Sequence, residues 1–173
     1  MLLPKPDHTI LCRRDEIISA LKRFVPAGAV IDDDTTMAAY DTDGLSAYRN
    51  QPLVVVLPET TQQVAAVMKW CRDNDVKIVP RGAGTSLSGG AIPLADGVLL
   101  GLGKFNQILD IDFINRTVTA QPGVTNLGIT QAVQDEGFYY APDPSSQIAC
   151  SIGGNIAENS GGVHCLKYGL TTN

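Results

Sequence analysis

Charge, aromatic residues and long apolar runs are all scarce in this chain. Of its 173 residues, 18% are charged and 6% aromatic, with a single tryptophan. Thirteen basic residues stand against eighteen acidic ones, a net charge of −5. A nucleic-acid binder needs a basic face to neutralise phosphates, so no nucleic-acid partner is expected. The same balance argues against a polybasic membrane anchor. No apolar run approaches the roughly 20 residues that span a bilayer, so no transmembrane segment is expected. The start, Met1-Leu2-Leu3-Pro4-Lys5-Pro6-Asp7-His8, has no apolar h-region and does not read as a secretory signal. Histidine occurs only at His8 and His164. The four cysteines, Cys12, Cys71, Cys150 and Cys165, form no C-x-x-C pair. His164-Cys165 has no further ligand at metal spacing, so no metal is expected. All four thiols read as free, small buried hydrophobes in a reducing cytoplasm.

What is present is a globular composition, 44% hydrophobic, with 17 glycines that fall in clusters. A chain of this length buries roughly 68–70% of its unfolded surface, enough for a real core. The last residues, Tyr168-Gly169-Leu170-Thr171-Thr172-Asn173, carry no stop signal and read as a chain cut in mid-element.

Local patterning lays out the elements. Ile17, Ile18, Leu21 and Phe24 share one face of a helix over 15–24, with Asp15 as N-cap and Pro26 and Gly28 ending it. Asp32-Asp33-Asp34 reads as a solvated turn. The β-branched run 53–57 reads as a strand buried on both faces. Thr60 and Gln63 make a capping box, and Val64, Val67, Met68 and Cys71 continue at helical spacing to about residue 74. A second strand over 77–80 completes a βαβ unit with parallel strands. Residues 97–102 form another strand, and 108–112 with 116–120 form an antiparallel hairpin. Thr125 caps a third helix with Ile129, Ala132, Val133 and Glu136 on one face and Gly137 past its end. The mixture of parallel and antiparallel signals makes the class α+β.

Two segments carry the chemistry. The first is Arg81-Gly82-Ala83-Gly84-Thr85-Ser86-Leu87-Ser88-Gly89-Gly90, directly after the βαβ unit. Glycine lets backbone N–H groups turn toward a ligand, successive N–H groups make an anion nest, and Thr85, Ser86 and Ser88 add hydroxyls. The ligand it suits is a phosphate or pyrophosphate; the bland alternative is a glycine-rich surface turn. A Rossmann loop would need a third glycine where Leu87 stands, and a P-loop would need Lys-Ser/Thr where Gly90-Ala91 stands. The second segment, Cys150 to Gly162, has two Gly-Gly pairs around small residues. Asn155, Asn159 and Ser160 offer uncharged donors and acceptors, which suits the edge of a flat polar ring. Tight turn–helix–turn packing is the alternative. Asp143, between Pro142 and Pro144, is a rigidly held carboxylate that suits a ligand or a turn equally. No Ser/His/Asp constellation and no general base can be assigned.

Pro80 to Ala91, the run Pro142-Asp143-Pro144-Ser145-Ser146, Cys150 to Gly162 and Lys167-Tyr168-Gly169-Leu170 together resemble the FAD-binding domain of the vanillyl-alcohol oxidase / p-cresol methylhydroxylase (PCMH) superfamily. Within it the likeness is greatest to the FAD-binding D subunits of bacterial glycolate oxidases, which Tyr40-Asp41-Thr42-Asp43-Gly44-Leu45-Ser46-Ala47-Tyr48-Arg49 also fits. FAD-dependent D-lactate dehydrogenases share the general pattern.

The resemblance implies a helical lead-in over 1–50 and an FAD-binding domain over 51–173, incomplete at its C-terminus, with the substrate domain and its catalytic residues lying beyond. It implies a small parallel βαβ subdomain followed by a mixed or antiparallel sheet with flanking helices. Pro80, Arg81, Gly82, Ala83, Gly84, Thr85, Ser86 and Ser88 would wrap the FAD pyrophosphate. Pro142, Asp143, Ser145, Ser146, Cys150, Gly153, Gly154, Asn155, Asn159 and Gly162 would line the ribityl chain and ring. The first loop has no histidine, so the FAD would be non-covalent. The implied reaction oxidises a small 2-hydroxy acid, glycolate to glyoxylate, with hydride passing to flavin N5. The implied partners are an iron–sulfur subunit and a second flavin-domain subunit, in the cytoplasm or peripheral at the inner membrane through them. A D-lactate dehydrogenase portion, and a non-catalytic nucleotide- or phosphate-binding module, are the alternatives.

Overall fold

A computed structural model describes residues 3–172. The chain divides into two compact units, Met1–Lys104 and Phe105–Asn173.

The first unit opens with two short helices, α1 (His8–Leu11) and α2 (Arg14–Leu21). Asp7 caps α1 by accepting the Thr9 N–H. That first turn runs straight into α2, so Arg13 rather than Asp15 occupies the N-cap, and Asp15 sits in the first turn. Arg13 instead pairs with Glu16 at 3.0 Å. Next come strand β1 (Val30–Ile31) and helix α3 (Asp34–Met37). The triple aspartate is thus more than a turn: Asp33 caps α3 through the Thr36 N–H, and Asp32 pairs with Lys22. Strand β2 (Val54–Val56) follows, then helix α4 (Thr61–Asp73), strand β3 (Lys77–Arg81) and strand β4 (Gly97–Gly101). The Thr60 hydroxyl accepts the Gln63 N–H as expected, but Gln63 reaches back to the Glu59 N–H, one residue further than a capping box predicts.

These strands make a four-stranded sheet in the order β1-β2-β4-β3. β2, β4 and β3 are parallel, in a register that aligns Val55, Leu99 and Val79; β1 runs antiparallel to β2. The expected βαβ unit is present with parallel strands, yet β4 lies between them. Val54, Val55 and Val56 are fully buried. Val54 and Val56 join Ile17, Leu21, Val67 and Cys71 on one face, while Val55 and Leu99 meet Met37 on the other. Burying each such side chain is worth about 1.5–3 kcal/mol, so helices on both faces are what this strand requires. Because β1 and α2 share this core, the packing shows no break near residue 50; it divides after Lys104.

The second unit contains the hairpin β5 (Ile108–Asp112) and β6 (Thr117–Ala120), antiparallel as expected. Helix α5 (Asn126–Val133) is capped by the Thr125 hydroxyl accepting from the Gly128 N–H. Its buried face carries Asn126, Ile129 and Val133, whereas Ala132 and Glu136 are exposed. Helices α6 (Ile152–Glu158) and α7 (Cys165–Tyr168) complete it. Val124, Ile129 and Ile152 form its core. The four thiols are unpaired, but only Cys71 and Cys150 are buried; Cys12 and Cys165 are exposed.

Candidate functional site

In the first unit, β3 delivers the chain into the glycine loop. Pro80 lies within β3, an edge strand, where a missing N–H is tolerated. Gly82, Ala83, Gly84, Thr85, Ser86 and Ser88 follow in the loop. The N–H groups of Ala83, Gly84, Thr85, Ser86 and Leu87 have no acceptor among the described residues. The Ser86 hydroxyl accepts the Ser88 N–H at 3.2 Å. Gly84 has φ +72°, the left-handed conformation that favours glycine. A run of five free N–H groups suits an anion and cannot hold a cation.

Arg81 is tied to the segment around Tyr40. Its Nη1 donates to the carbonyls of Tyr40 at 3.1 Å and Thr42 at 2.7 Å, and its guanidinium lies over the Tyr40 ring at 5.8 Å. Burial lowers its pKa, opposed by the charge of Asp43. Asp43, itself 6% exposed, accepts the Leu45 N–H at 2.8 Å and the Ala91 N–H at 3.3 Å. The segment around 40–45 therefore backs the loop, a role that local pattern does not announce.

In the second unit, the turn Pro142 to Ser146 is tied on several sides. The Pro142 carbonyl accepts from Asn126 at 3.0 Å, and the Ser146 carbonyl accepts the Cys150 N–H at 2.8 Å. Ser145 is exposed. Asp143 accepts from His164 twice, at 2.6 Å from Nδ1 and 3.3 Å from the backbone N–H. His164 thereby holds the Asp143 carboxyl below its ordinary 3.8. No spacing rule singles out His164, which lies 21 residues away.

The second glycine cluster is largely helix. Gly153, Gly154 and Asn155 belong to α6, and Asn159 ends it in the left-handed conformation. Asn155 and Cys150 are 4% and 2% exposed. Asn155 donates to the Asn126 side chain and to Cys150 Sγ. Both side chains are committed to the interior and have little surface to offer a ligand. The Asn159 amide oxygen accepts from Thr172. A Cβ at Gly162 would overlap the Asp143 backbone carbonyl. A cavity of about 590 Å³ in this unit is lined by Phe113, Val118, Phe138, Tyr140, Ile156 and Gly153 among others. Its walls are mostly apolar, unlike the amide-lined loop of the first unit.

A parallel sheet feeding a glycine loop of unpaired amides, in an α+β chain, is an arrangement that suits a phosphate-bearing ligand. The sequence profile of the FAD-binding domain family matches residues 52–173. The chain belongs to this family, and its cofactor is FAD. The free amides of residues 83–87 fit the pyrophosphate of that cofactor.

The chain is 56% identical over 158 residues to glycolate oxidase subunit GlcD of Escherichia coli (strain K12), covering 91% of this chain and 32% of that protein. It is 44% identical over 140 residues to GlcD of Bacillus subtilis (strain 168), covering 81% and 30%. It is 35% identical over 157 residues to D-2-hydroxyglutarate dehydrogenase of Stutzerimonas stutzeri (strain A1501), covering 91% and 34%. The chain thus spans about a third of the length of the curated relatives it matches. Among solved structures, alkyldihydroxyacetonephosphate synthase superposes with TM-score 0.80 at 22% identity, covering 98% of this chain and 32% of that one. p-Cresol methylhydroxylase superposes with TM-score 0.75 at 20% identity, covering 92% and 32%. These structures establish the PCMH-type fold. No helix among the described residues is long and apolar enough to cross a membrane.

Proposed function

We propose that this chain is the FAD-binding portion of a flavin-dependent 2-hydroxy-acid oxidoreductase whose substrate is glycolate. The observation that carries the reading is the run of free amides from Ala83 to Leu87, an electropositive cradle for a pyrophosphate. The 56% identity to a glycolate oxidase subunit favours glycolate within the 2-hydroxy acids. When bound, FAD supplies the electron acceptor for oxidation of the hydroxy acid. Gly82, Ala83, Gly84, Thr85, Ser86 and Ser88 hold the pyrophosphate. Asp143, Ser145, Ser146 and the backbone at Gly153, Gly154 and Gly162 serve the remainder of the cofactor, without a covalent link. The partners are an iron–sulfur subunit and a second flavin-domain subunit, and the protein works in the cytoplasm or at the inner membrane through them.

The 35% identity to a D-2-hydroxyglutarate dehydrogenase supports a second reading in which the acid is larger. Two measurements test these readings. Full chain mixed with FAD and desalted retains flavin absorbance if the cradle binds it; a folded chain that loses all flavin overturns the cofactor assignment. In the natural protein carrying this chain, air-free addition of glycolate, D-lactate and D-2-hydroxyglutarate in turn bleaches the flavin band fastest with the true substrate.

A further inference from the structure

Three contacts in the first unit join residues 40–44 to the glycine loop. Arg81 Nη1 donates to the Tyr40 and Thr42 carbonyls at the loop's entrance. Asp43 accepts the Ala91 N–H at its exit. Between them Gly44 lies against the loop's crest: a Cβ there would stand 2.6 Å from the Ser86 carbonyl oxygen and 2.8 Å from that of Thr85. Those two carbonyls face the strap, so the N–H groups of the same trans peptides point the other way. Arg81 also fills the space behind Gly84, where a Cβ would come 2.6 Å from Cζ.

We propose that residues 40–44 are a strap that fixes the loop in its anion-binding form, and that Arg81 is a positioning residue rather than a ligand of the pyrophosphate. This rests on the assignment of the loop to the FAD pyrophosphate. The physical argument is preorganisation. Five adjacent amides left without acceptors gain nothing from this arrangement by themselves, and a glycine-rich loop released from its backing has many other conformations. Holding it at both ends and at the crest removes that ordering cost before the ligand arrives. The planar guanidinium is needed because, while Nη1 donates to the two carbonyls, its plane also lies over the Tyr40 ring and fills the space behind Gly84; a compact ammonium has no plane to do the last two.

FAD and ADP affinities of the full chain test this, measured across a series of salt concentrations for Arg81→Lys, Arg81→Gln and Gly44→Ala. All three variants are expected to weaken FAD by about tenfold or more, ADP by a similar factor, with the salt dependence of wild type retained. If Arg81 instead touches phosphate, Arg81→Lys stays near wild type while Arg81→Gln flattens the salt dependence, and the proposal is overturned. Equally fatal is a Gly44→Ala chain whose folded form binds FAD as tightly as wild type, even if its thermal midpoint has dropped. Should Arg81→Gln not fold, Arg81→Lys and Gly44→Ala still decide. Failure of wild type to bind FAD is a different result: it removes the pyrophosphate assignment itself.

Discussion

Asp143 and His164 meet through two hydrogen bonds, the ring Nδ1 to Oδ2 at 2.6 Å and the backbone N–H to Oδ1 at 3.3 Å. The pair fastens the Pro-Asp-Pro turn to the segment that follows the second Gly-Gly pair. Gly162 allows this closeness, since any side chain there would overlap the Asp143 carbonyl.

Acid should loosen that fastening. The Asp143 carboxyl titrates below its ordinary 3.8 because His164 donates to it. A lowered carboxylate pKa means the contribution to stability is present above about 3.8 and fades as pH falls through the lower, folded value. Thermal midpoints of wild type and Asp143→Asn, measured from pH 7 down to pH 2, should therefore converge at the acid end. Parallel curves over that whole range would show that the pair adds nothing.

Gly162→Ala should destabilise the second unit without altering any charge. The obstructing atom is backbone carbonyl, which cannot swing aside as a side chain can. Overpacking of this kind costs about 1–3 kcal/mol. At roughly 2–4 °C per kcal/mol, calorimetry should find a midpoint several degrees lower. An unchanged midpoint would contradict the close approach.

Gly84→Val should reduce FAD affinity by at least about tenfold. Two effects combine. The left-handed conformation costs a non-glycine residue about 1–2 kcal/mol, and more when it is β-branched. The new side chain must also displace the Arg81 guanidinium. A flavin titration of the folded variant reads the result directly, and wild-type affinity would remove the loop from the site.

The thiols should separate into two pairs. Cys12 and Cys165 are exposed, while Cys71 and Cys150 are buried and burial pushes the Cys71 thiol up to about 11. Iodoacetamide at pH 8 should label the first pair in the native chain and all four only after denaturation, as mass spectrometry of tryptic peptides would reveal. Native labelling of Cys71 would mean that its core opens.

What the sequence by itself determined was local. The valine run 53–57, the Thr60 and Thr125 caps, the hairpin around Asn115 and the place of the glycine loop all follow from forces acting within one or two turns of chain. The resemblance of residues 80–91 and 142–170 to a flavin-binding family was equally visible, because glycine and proline mark backbone shapes that few other residues can take. Tertiary structure alone decided the rest. It placed β4 between β2 and β3, tied Arg81 to the carbonyls of Tyr40 and Thr42, exposed two of four similar cysteines, and gave Asp143 a histidine partner. These outcomes join residues 20 to 44 positions apart. Such contacts form only once a shared core has fixed which surfaces face each other, and no periodicity in the chain encodes that choice.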